Sequence, residues 1–167
     1  SEINSLILAQ SQTLPCYCSV MIQNFSIDDF SKHYDLYFNN LFPFIAHIAS
    51  KNLFHFRNLN GFYLKKKKNF YKQINIGFTI DSGDCLQVPV VKNCSELNQE
   101  TIQDEFINLL KASVLQRLTL EQMSGPTFII SDLSSVGDCS SHLPLMAPFT
   151  SAILGIAVDK KASTLSL

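Results

Sequence analysis

One long amphipathic helix between two groups of short apolar strands is the feature that most restricts how this chain can fold. Residues 95–118 carry apolar side chains at three- and four-residue steps along one face, which predicts a helix. The runs 75–80 (NIGFTI) and 85–91 (CLQVPVV) precede it, and the runs 127–131 (TFIIS) and 151–158 (SAILGIAV) follow it. These runs have the composition of buried strands. Because helices and strands mix without strict alternation, we predict an α/β sandwich with a mixed β-sheet.

The N-terminal half predicts further helices and strands. Residues 1–14 indicate a helix and residues 16–25 a strand, after which Ser26 can cap a helix that continues to Leu41. Pro43 suits the first turn of the next helix, and residues 62–74 predict a hairpin or connecting ribbon around the lysine run 65–68. Within residues 85–91, Pro89 predicts an edge strand or a bulge. Thr119 and Gln122 form a capping-box pair that predicts a short helix.

Length and composition predict one domain with some surface that avoids water. A chain of 167 residues is long enough to bury a core as a single domain, here 1–167. Only 16% of the residues are charged, against about 25% in a typical domain, and there are 13 Phe and no Trp. The net charge of −1 argues against nucleic-acid binding, which needs excess Lys and Arg. No apolar stretch approaches the length of a membrane span and no signal peptide opens the chain, so we predict an intracellular protein, cytoplasmic or in an organelle matrix.

The cysteines predict neither a disulfide framework nor a metal centre. Their number, 5, is odd, and the chain does not have the short secreted character of disulfide-rich domains. Cys16 and Cys18 are too close together for zinc-finger spacing and lack a second pair. We therefore expect free thiols and no metal.

Several motifs, in the right order, resemble the catalytic domain of dihydrolipoamide acyltransferases from 2-oxo acid dehydrogenase complexes. Residues 75–93 (NIGFTIDSGDCLQVPVVKN) resemble that family's N-I-G-x-A-V strand, Gly-containing turn and L-V-V-P-V strand. Residues 118–134 (LTLEQMSGPTFIISDLS) are similar to L-T-x-E-x-M-x-G-x-T-F-x-I-S-N-L-G. Residues 142–156 (HLPLMAPFTSAILGI) are similar to F-x-P-I-x-N-x-P-x-x-A-I-L-G-V. The resemblance covers nearly the whole chain.

This resemblance implies a fold, an assembly and a chemistry. The fold is the chloramphenicol acetyltransferase-like two-layer sandwich, in which three subunits surround an axis with active sites at their interfaces. Such trimers assemble further into cages within multienzyme complexes. The chemistry is acyl transfer between coenzyme A (CoA) and a dihydrolipoyl group, in which a histidine is the general base and a serine hydroxyl donates to the oxyanion.

The same resemblance identifies candidate site residues. Ser131 matches the family's serine and is the predicted oxyanion donor. Asp132 stands where Asn is usual and predicts a negative charge beside the site, and Ser134 stands where a Gly is usual. These two residues and His142, in the segment after Ser131, are candidates for binding CoA. In the family the catalytic histidine lies in D-H-R-x-x-D-G, after a strand that residues 163–167 match, so we expect this segment to be missing from residues 1–167 and to be present only if the chain continues past Leu167.

Three functional hypotheses follow from these residues. The first is an acyltransferase acting on acyl-CoA and a thiol carrier such as dihydrolipoamide. The second is a catalytically inactive homologue that serves as a structural or adaptor subunit of a multienzyme complex. The third is an acyltransferase with an amine or hydroxyl acceptor. Expected partners are copies of the same chain and other subunits of a 2-oxo acid dehydrogenase complex.

Overall fold

The computed structural model describes residues 15–36, 40–81, 83, 85–134 and 138–167. It divides into two compact units. The first consists of Ser1–Leu41, Ser131–Pro148 and Ile153–Leu167, and the second of Phe42–Ile130 and Phe149–Ala152. The helix predicted for residues 1–14 lies outside the described residues.

In the first unit, antiparallel strands form the sheet. Strand β1 (Met21–Gln23) pairs with β10 (Thr164–Ser166), which pairs in turn with β9 (Ile153–Asp159). The predicted strand at 16–25 is therefore present but shorter. The sheet contact extends past β1, because Val20 and Leu167 exchange both backbone hydrogen bonds at 3.0 Å.

Helix α1 (Ile27–His33) begins as the sequence predicts and ends earlier. The Ser26 hydroxyl accepts a hydrogen bond from the backbone N–H of Asp29 at 3.3 Å, which caps the first turn. The predicted extension to Leu41 is wrong because Asp35 adopts a φ of 51°, a left-handed conformation that ends a helix.

The second unit carries the mixed sheet. Strand β4 (Ile76–Phe78) pairs antiparallel with β7 (Val90–Val91) and parallel with the first three residues of β8 (Phe128–Asp132). Helices α2 (Phe42–Leu53) and α3 (Gln99–Val114) belong to the same unit. The mixed sheet and the two helices confirm the predicted α/β class.

Three phenylalanine rings hold the helices of the second unit against its sheet. Phe42 on α2 lies 4.6 Å from Phe78 on β4 and 5.2 Å from Phe106 on α3, measured between ring centroids. Phe78 and Phe106 are 4.8 Å apart. All three side chains are buried. Aromatic pairs at these distances stabilise a core beyond the area that they bury, so this cluster joins the helix layer to the sheet layer.

Two hairpins and a break at Pro89 complete the second unit. Strands β2 (Gly61–Leu64) and β3 (Lys67–Phe70) form the predicted hairpin, so two of the four lysines belong to a strand. Strand β5 (Ile80–Asp81) pairs with β6 (Leu86–Gln87). The single strand predicted for 85–91 is divided into β6 and β7, because Pro89 lacks the N–H that a continuous ladder needs.

The capping box at Thr119 forms without the helix that it predicts. The Gln122 side chain accepts from the Thr119 backbone N–H at 2.9 Å, and the Thr119 hydroxyl accepts from the Gln122 N–H at 3.3 Å. Residues 120–124 nevertheless form only turns. Gly125, with a φ of 67°, and Pro126 follow at once, and both end helical conformation.

The described helices include none with the length and apolar character that a membrane crossing requires.

The thiol of Cys94 is predicted to resist alkylation in the folded protein. Cys94 is fully buried, and burial raises its pKa to about 11, so almost no thiolate forms at about pH 8. Exposed Cys85 is the matched control. Iodoacetamide labelling followed by peptide mass spectrometry is expected to modify Cys85 and to leave Cys94 intact until denaturant is added. Equal labelling of the two thiols in the native protein would contradict the buried position.

Candidate active site

Ser131 and His142 meet in the first unit. Ser131 is the fourth residue of β8 and only 7% exposed. His142 lies in the irregular segment after β8 and is half-buried. Its Nε2 is 2.8 Å from the Ser131 Oγ, a hydrogen bond between side chains 11 positions apart. Two residues that the sequence analysis placed separately, as oxyanion donor and as CoA contact, are therefore direct partners.

The charge state of His142 follows from its surroundings. Desolvation by burial lowers the pKa of His142 below its ordinary value of 6.5. The imidazole is therefore neutral at about pH 7 and carries one ring proton. If that proton is on Nε2, the ring donates to Ser131; if it is on Nδ1, Nε2 accepts the serine proton. The contact thus allows two opposite roles for the serine hydroxyl.

Gly155 on β9 makes room for the segment that carries His142. A β-carbon built at position 155 would lie 2.6 Å from the carbonyl oxygen of His142 and 2.8 Å from Cδ of Pro144. It would also lie 3.1 Å from Cδ2 of the His142 ring, the carbon bonded to Nε2. Because Gly155 has no side chain, the segment that carries His142 packs directly against the backbone of β9. This contact determines the position of the imidazole.

Gly155→Ala is predicted to destabilise the protein and to displace His142. The added carbon meets a backbone carbonyl, so the segment around His142 must move, at a cost of about 1–3 kcal/mol. Urea unfolding measures this free energy. Without a close contact, the same change would stabilise by about 0.4–1 kcal/mol because alanine restricts the unfolded chain. A more stable variant would therefore contradict the close approach of the two segments.

Asp132 and Ser134 form a tight turn directly after Ser131. Oδ1 of Asp132 accepts a hydrogen bond from the backbone N–H of Ser134 at 2.7 Å. The side-chain oxygen of an asparagine accepts in the same way, so Asp preserves the turn that the usual Asn can make. Ser134 does not have a positive φ angle. A serine at this position therefore does not suffer the backbone strain that a non-glycine residue has in the left-handed region.

The Ser134 side chain is a second polar group in this turn. Ser134 is buried, and its Oγ has no hydrogen-bond partner among the described residues. Buried hydroxyls are normally bonded, so this oxygen can form a hydrogen bond that no described residue supplies. Over the same described residues, no group of three or more His, Cys, Asp or Glu side chains is positioned to hold a metal ion.

Comparison with known proteins identifies the family. Residues 3–165 match the model of the 2-oxoacid dehydrogenases acyltransferase catalytic domain. One relative, from Buchnera aphidicola of Acyrthosiphon pisum, is 38% identical over 92 residues, which are 55% of this chain and 23% of the relative. Another, from Mycoplasma capricolum, is 32% identical over 115 residues, which are 68% of this chain and 26% of the relative. Both are dihydrolipoyllysine-residue acetyltransferase components of pyruvate dehydrogenase complexes.

Solved structures agree on the fold. A probable dihydrolipoamide acetyltransferase from Listeria monocytogenes superposes with a TM-score of 0.82 at 20% identity, covering 98% of this chain and 77% of that one. The Azotobacter vinelandii dihydrolipoamide acetyltransferase, studied for the catalytic roles of a serine, a histidine and an asparagine, gives a TM-score of 0.82 at 18% identity. That match covers 98% of this chain and 76% of the other.

The fold is that of an acyltransferase catalytic core, which confirms the predicted chloramphenicol acetyltransferase-like architecture. The chain belongs to the 2-oxoacid dehydrogenase acyltransferase catalytic-domain family, as the motifs predicted. The matched stretches span about a quarter of the length of these curated relatives.

Sequence reasoning named Ser131 and His142 individually as candidates but missed their contact and the part that Gly155 plays in it. A signal for Gly155 was present, because the A-I-L-G motif places a glycine inside an otherwise apolar strand. Such a glycine indicates the close approach of another backbone.

Proposed function

We propose that this chain is the catalytic domain of an acyltransferase that moves an acyl group between CoA and a thiol carrier such as a dihydrolipoyl group. Family membership over residues 3–165 supports this activity, as do relatives that are dihydrolipoyllysine-residue acetyltransferases. The observation that carries the proposal is Ser131, whose hydroxyl lies at the end of β8 in the family's I-S-x-L motif and makes a hydrogen bond to His142.

The proposed reaction exchanges one thioester for another. A general base removes the proton of the attacking thiol, and the thiolate adds to the thioester carbonyl to form a tetrahedral oxyanion. The hydroxyl of Ser131 donates a hydrogen bond to that oxyanion. The intermediate then expels the other thiolate, which takes the proton back from the base. In the family this base is the histidine of D-H-R-x-x-D-G, a motif that does not occur within these 167 residues.

The family also supplies the proposed setting. Residues 1–167 would form one acyltransferase domain of a homotrimer, with further assembly into a cage together with other subunits of a 2-oxo acid dehydrogenase complex. One structural neighbour is the cubic core of a pyruvate dehydrogenase complex, with a TM-score of 0.82 at 19% identity, covering 98% of this chain and 76% of that one. CoA and a lipoyl group act as substrates, with Asp132, Ser134 and His142 as candidate CoA contacts. The proposed location is intracellular, in the cytoplasm or an organelle matrix.

A structural subunit without catalytic activity is the second candidate function. One sequence feature favours it: the family's Asn and Gly are replaced by Asp132 and Ser134. The hydrogen bond between Asp132 and Ser134 weakens this argument, because the turn is retained.

The experiment that separates these functions is an acyl-transfer assay on the protein expressed from its full coding sequence. Acetyl-CoA is mixed with dihydrolipoamide, with chloramphenicol as a hydroxyl acceptor, or with an arylamine, and the release of CoA is followed. We expect release that depends on dihydrolipoamide and yields S-acetyldihydrolipoamide. Release with the hydroxyl or amine acceptor alone would overturn the proposed carrier. No release above the enzyme-free rate would support the structural subunit.

A further inference from the structure

His142 occupies a position where the family pattern has an apolar ring. The motif F-x-P-I-x-N-x-P-x-x-A-I-L-G-V begins with Phe, and the corresponding residues HLPLMAPFTSAILGI begin with His142. An imidazole has a size similar to that of a phenyl ring but adds two nitrogens that form hydrogen bonds. One of these nitrogens lies 2.8 Å from the hydroxyl oxygen that the proposed function depends on. The substitution therefore adds a polar contact at the centre of the site.

The single proton of Ser131 decides what this contact can do. A serine hydroxyl donates one hydrogen bond and accepts up to two. If Ser131 donates to the imidazole, its proton is unavailable to an oxyanion. If Nε2–H of His142 donates to Oγ, the serine proton remains available and its direction is restricted. Oxyanion donation by Ser131 is therefore compatible only with the Nε2–H form of the ring.

The surroundings hold the ring in place for this task. The backbone of His142 contacts β9 at Gly155, where even one added carbon would be too close to the carbonyl oxygen. Ser131 is fixed in β8 and is almost fully buried. Because both partners are anchored, the hydroxyl can be oriented before substrate binds, and preorganised donors are the ones that stabilise an oxyanion effectively.

We propose that His142 is a positioning residue: its Nε2–H donates to Oγ of Ser131 and directs the serine hydroxyl towards the oxyanion of the acyl-transfer intermediate. This inference rests on the proposed function, in which Ser131 is the oxyanion donor. It assigns His142 a role other than general base, because in this arrangement Nε2 keeps its proton throughout the reaction. It also goes beyond the family pattern, in which a phenylalanine at this place makes no such bond.

Three substitutions at two positions test the role by activity. His142→Phe removes the donor and restores the ring of the family pattern, so folding is expected to be retained. His142→Gln keeps an N–H donor at a similar reach, and Ser131→Ala removes the acceptor. His55→Phe, at an exposed histidine in the second unit, is the matched control. The assay is transfer from acetyl-CoA to dihydrolipoamide by the protein expressed from its full coding sequence.

We expect His142→Phe to lower kcat about tenfold or more with little change in KM, because an unrestrained hydroxyl stabilises the transition state less well. His142→Gln is expected to retain activity within about threefold, since the donor is preserved. In a Ser131→Ala background, His142→Phe is expected to have no further effect because the two residues act through one hydrogen bond. Wild-type kcat in His142→Phe, or a loss in His142→Gln as large as that in His142→Phe, would overturn the role.

The ring tautomer gives a test that does not depend on activity. Long-range nitrogen–proton correlation spectra of the ¹⁵N-histidine-labelled protein distinguish Nε2–H from Nδ1–H, and His142→Phe assigns the signal. Nε2–H supports the hydrogen bond that the inference assigns; if the protein then transfers no acyl group, the proposed function fails, together with the oxyanion role that rests on it. Nδ1–H overturns the inference even in an active enzyme, because the serine proton would then be donated to the ring.

Discussion

Ser131→Ala is expected to lower kcat for acyl transfer by about 100- to 1,000-fold, the loss typical of removing one oxyanion donor. In the proposed mechanism the hydroxyl donates to a charge that exists only in the tetrahedral intermediate and the transition states next to it. The KM for acetyl-CoA should therefore change by less than about threefold. Steady-state kinetics with dihydrolipoamide as the acceptor measure both constants.

Ser113→Ala is the matched control for this substitution. Ser113 is a buried serine on α3, and its Oγ donates to the Gln87 side chain at 2.6 Å in the second unit. Its replacement also removes a buried, hydrogen-bonded hydroxyl, and we expect kcat to be unchanged. If Ser131→Ala retains wild-type kcat, the serine has no part in the mechanism. If both variants lose activity equally, the loss reflects disturbed packing.

Phe42→Ala is expected to lower the free energy of unfolding by about 3–5 kcal/mol, the usual cost of deleting a buried aromatic ring. The Phe42 ring packs against both Phe78 and Phe106 in the second unit, so its removal leaves a cavity between the two helices and strand β4. Urea denaturation monitored by circular dichroism measures the change.

Phe54→Ala provides the comparison on the surface. Phe54 follows α2 directly and is 72% exposed, so its replacement is expected to change stability by no more than about 0.5 kcal/mol. Comparable losses in the two variants would contradict the assignment of Phe42 to the core.

The phenylalanines that are abundant in the sequence have two kinds of environment. Some form the buried aromatic cluster, and others, such as Phe54 and Phe56, are exposed.

Those parts of the fold that depend on local signals and on the order of the motifs were predictable from the sequence. Ser26, Pro43 and the apolar face of α3 indicate their helices through contacts within a few residues, and the structure contains all three helices. Local signals failed where a neighbour overrode them. The capping box at Thr119 cannot extend into a helix because Gly125 and Pro126 follow it.

The candidate site residues could be named from the sequence, but their geometry could not. Motif order indicated Ser131 as a candidate, whereas its bond to His142 depends on the path of the segment after β8 and on the contact of that segment with Gly155. Such a contact links residues that are far apart in sequence, and no periodicity encodes it. The bond from the Ser134 N–H to Asp132 spans only two residues, so a local turn signal was present there beside the charge that was predicted.

The most direct test of the account is whether acetyl-CoA alone releases CoA from the protein expressed from its full coding sequence. If Ser131 is an oxyanion donor oriented by His142, transfer passes directly between two thiols. Rapid mixing with acetyl-CoA should then give no burst of CoA, and release should begin only when dihydrolipoamide is added. A burst stoichiometric with protein and an acetyl group on Ser131 would contradict the account, because the serine would then be a nucleophile activated by His142.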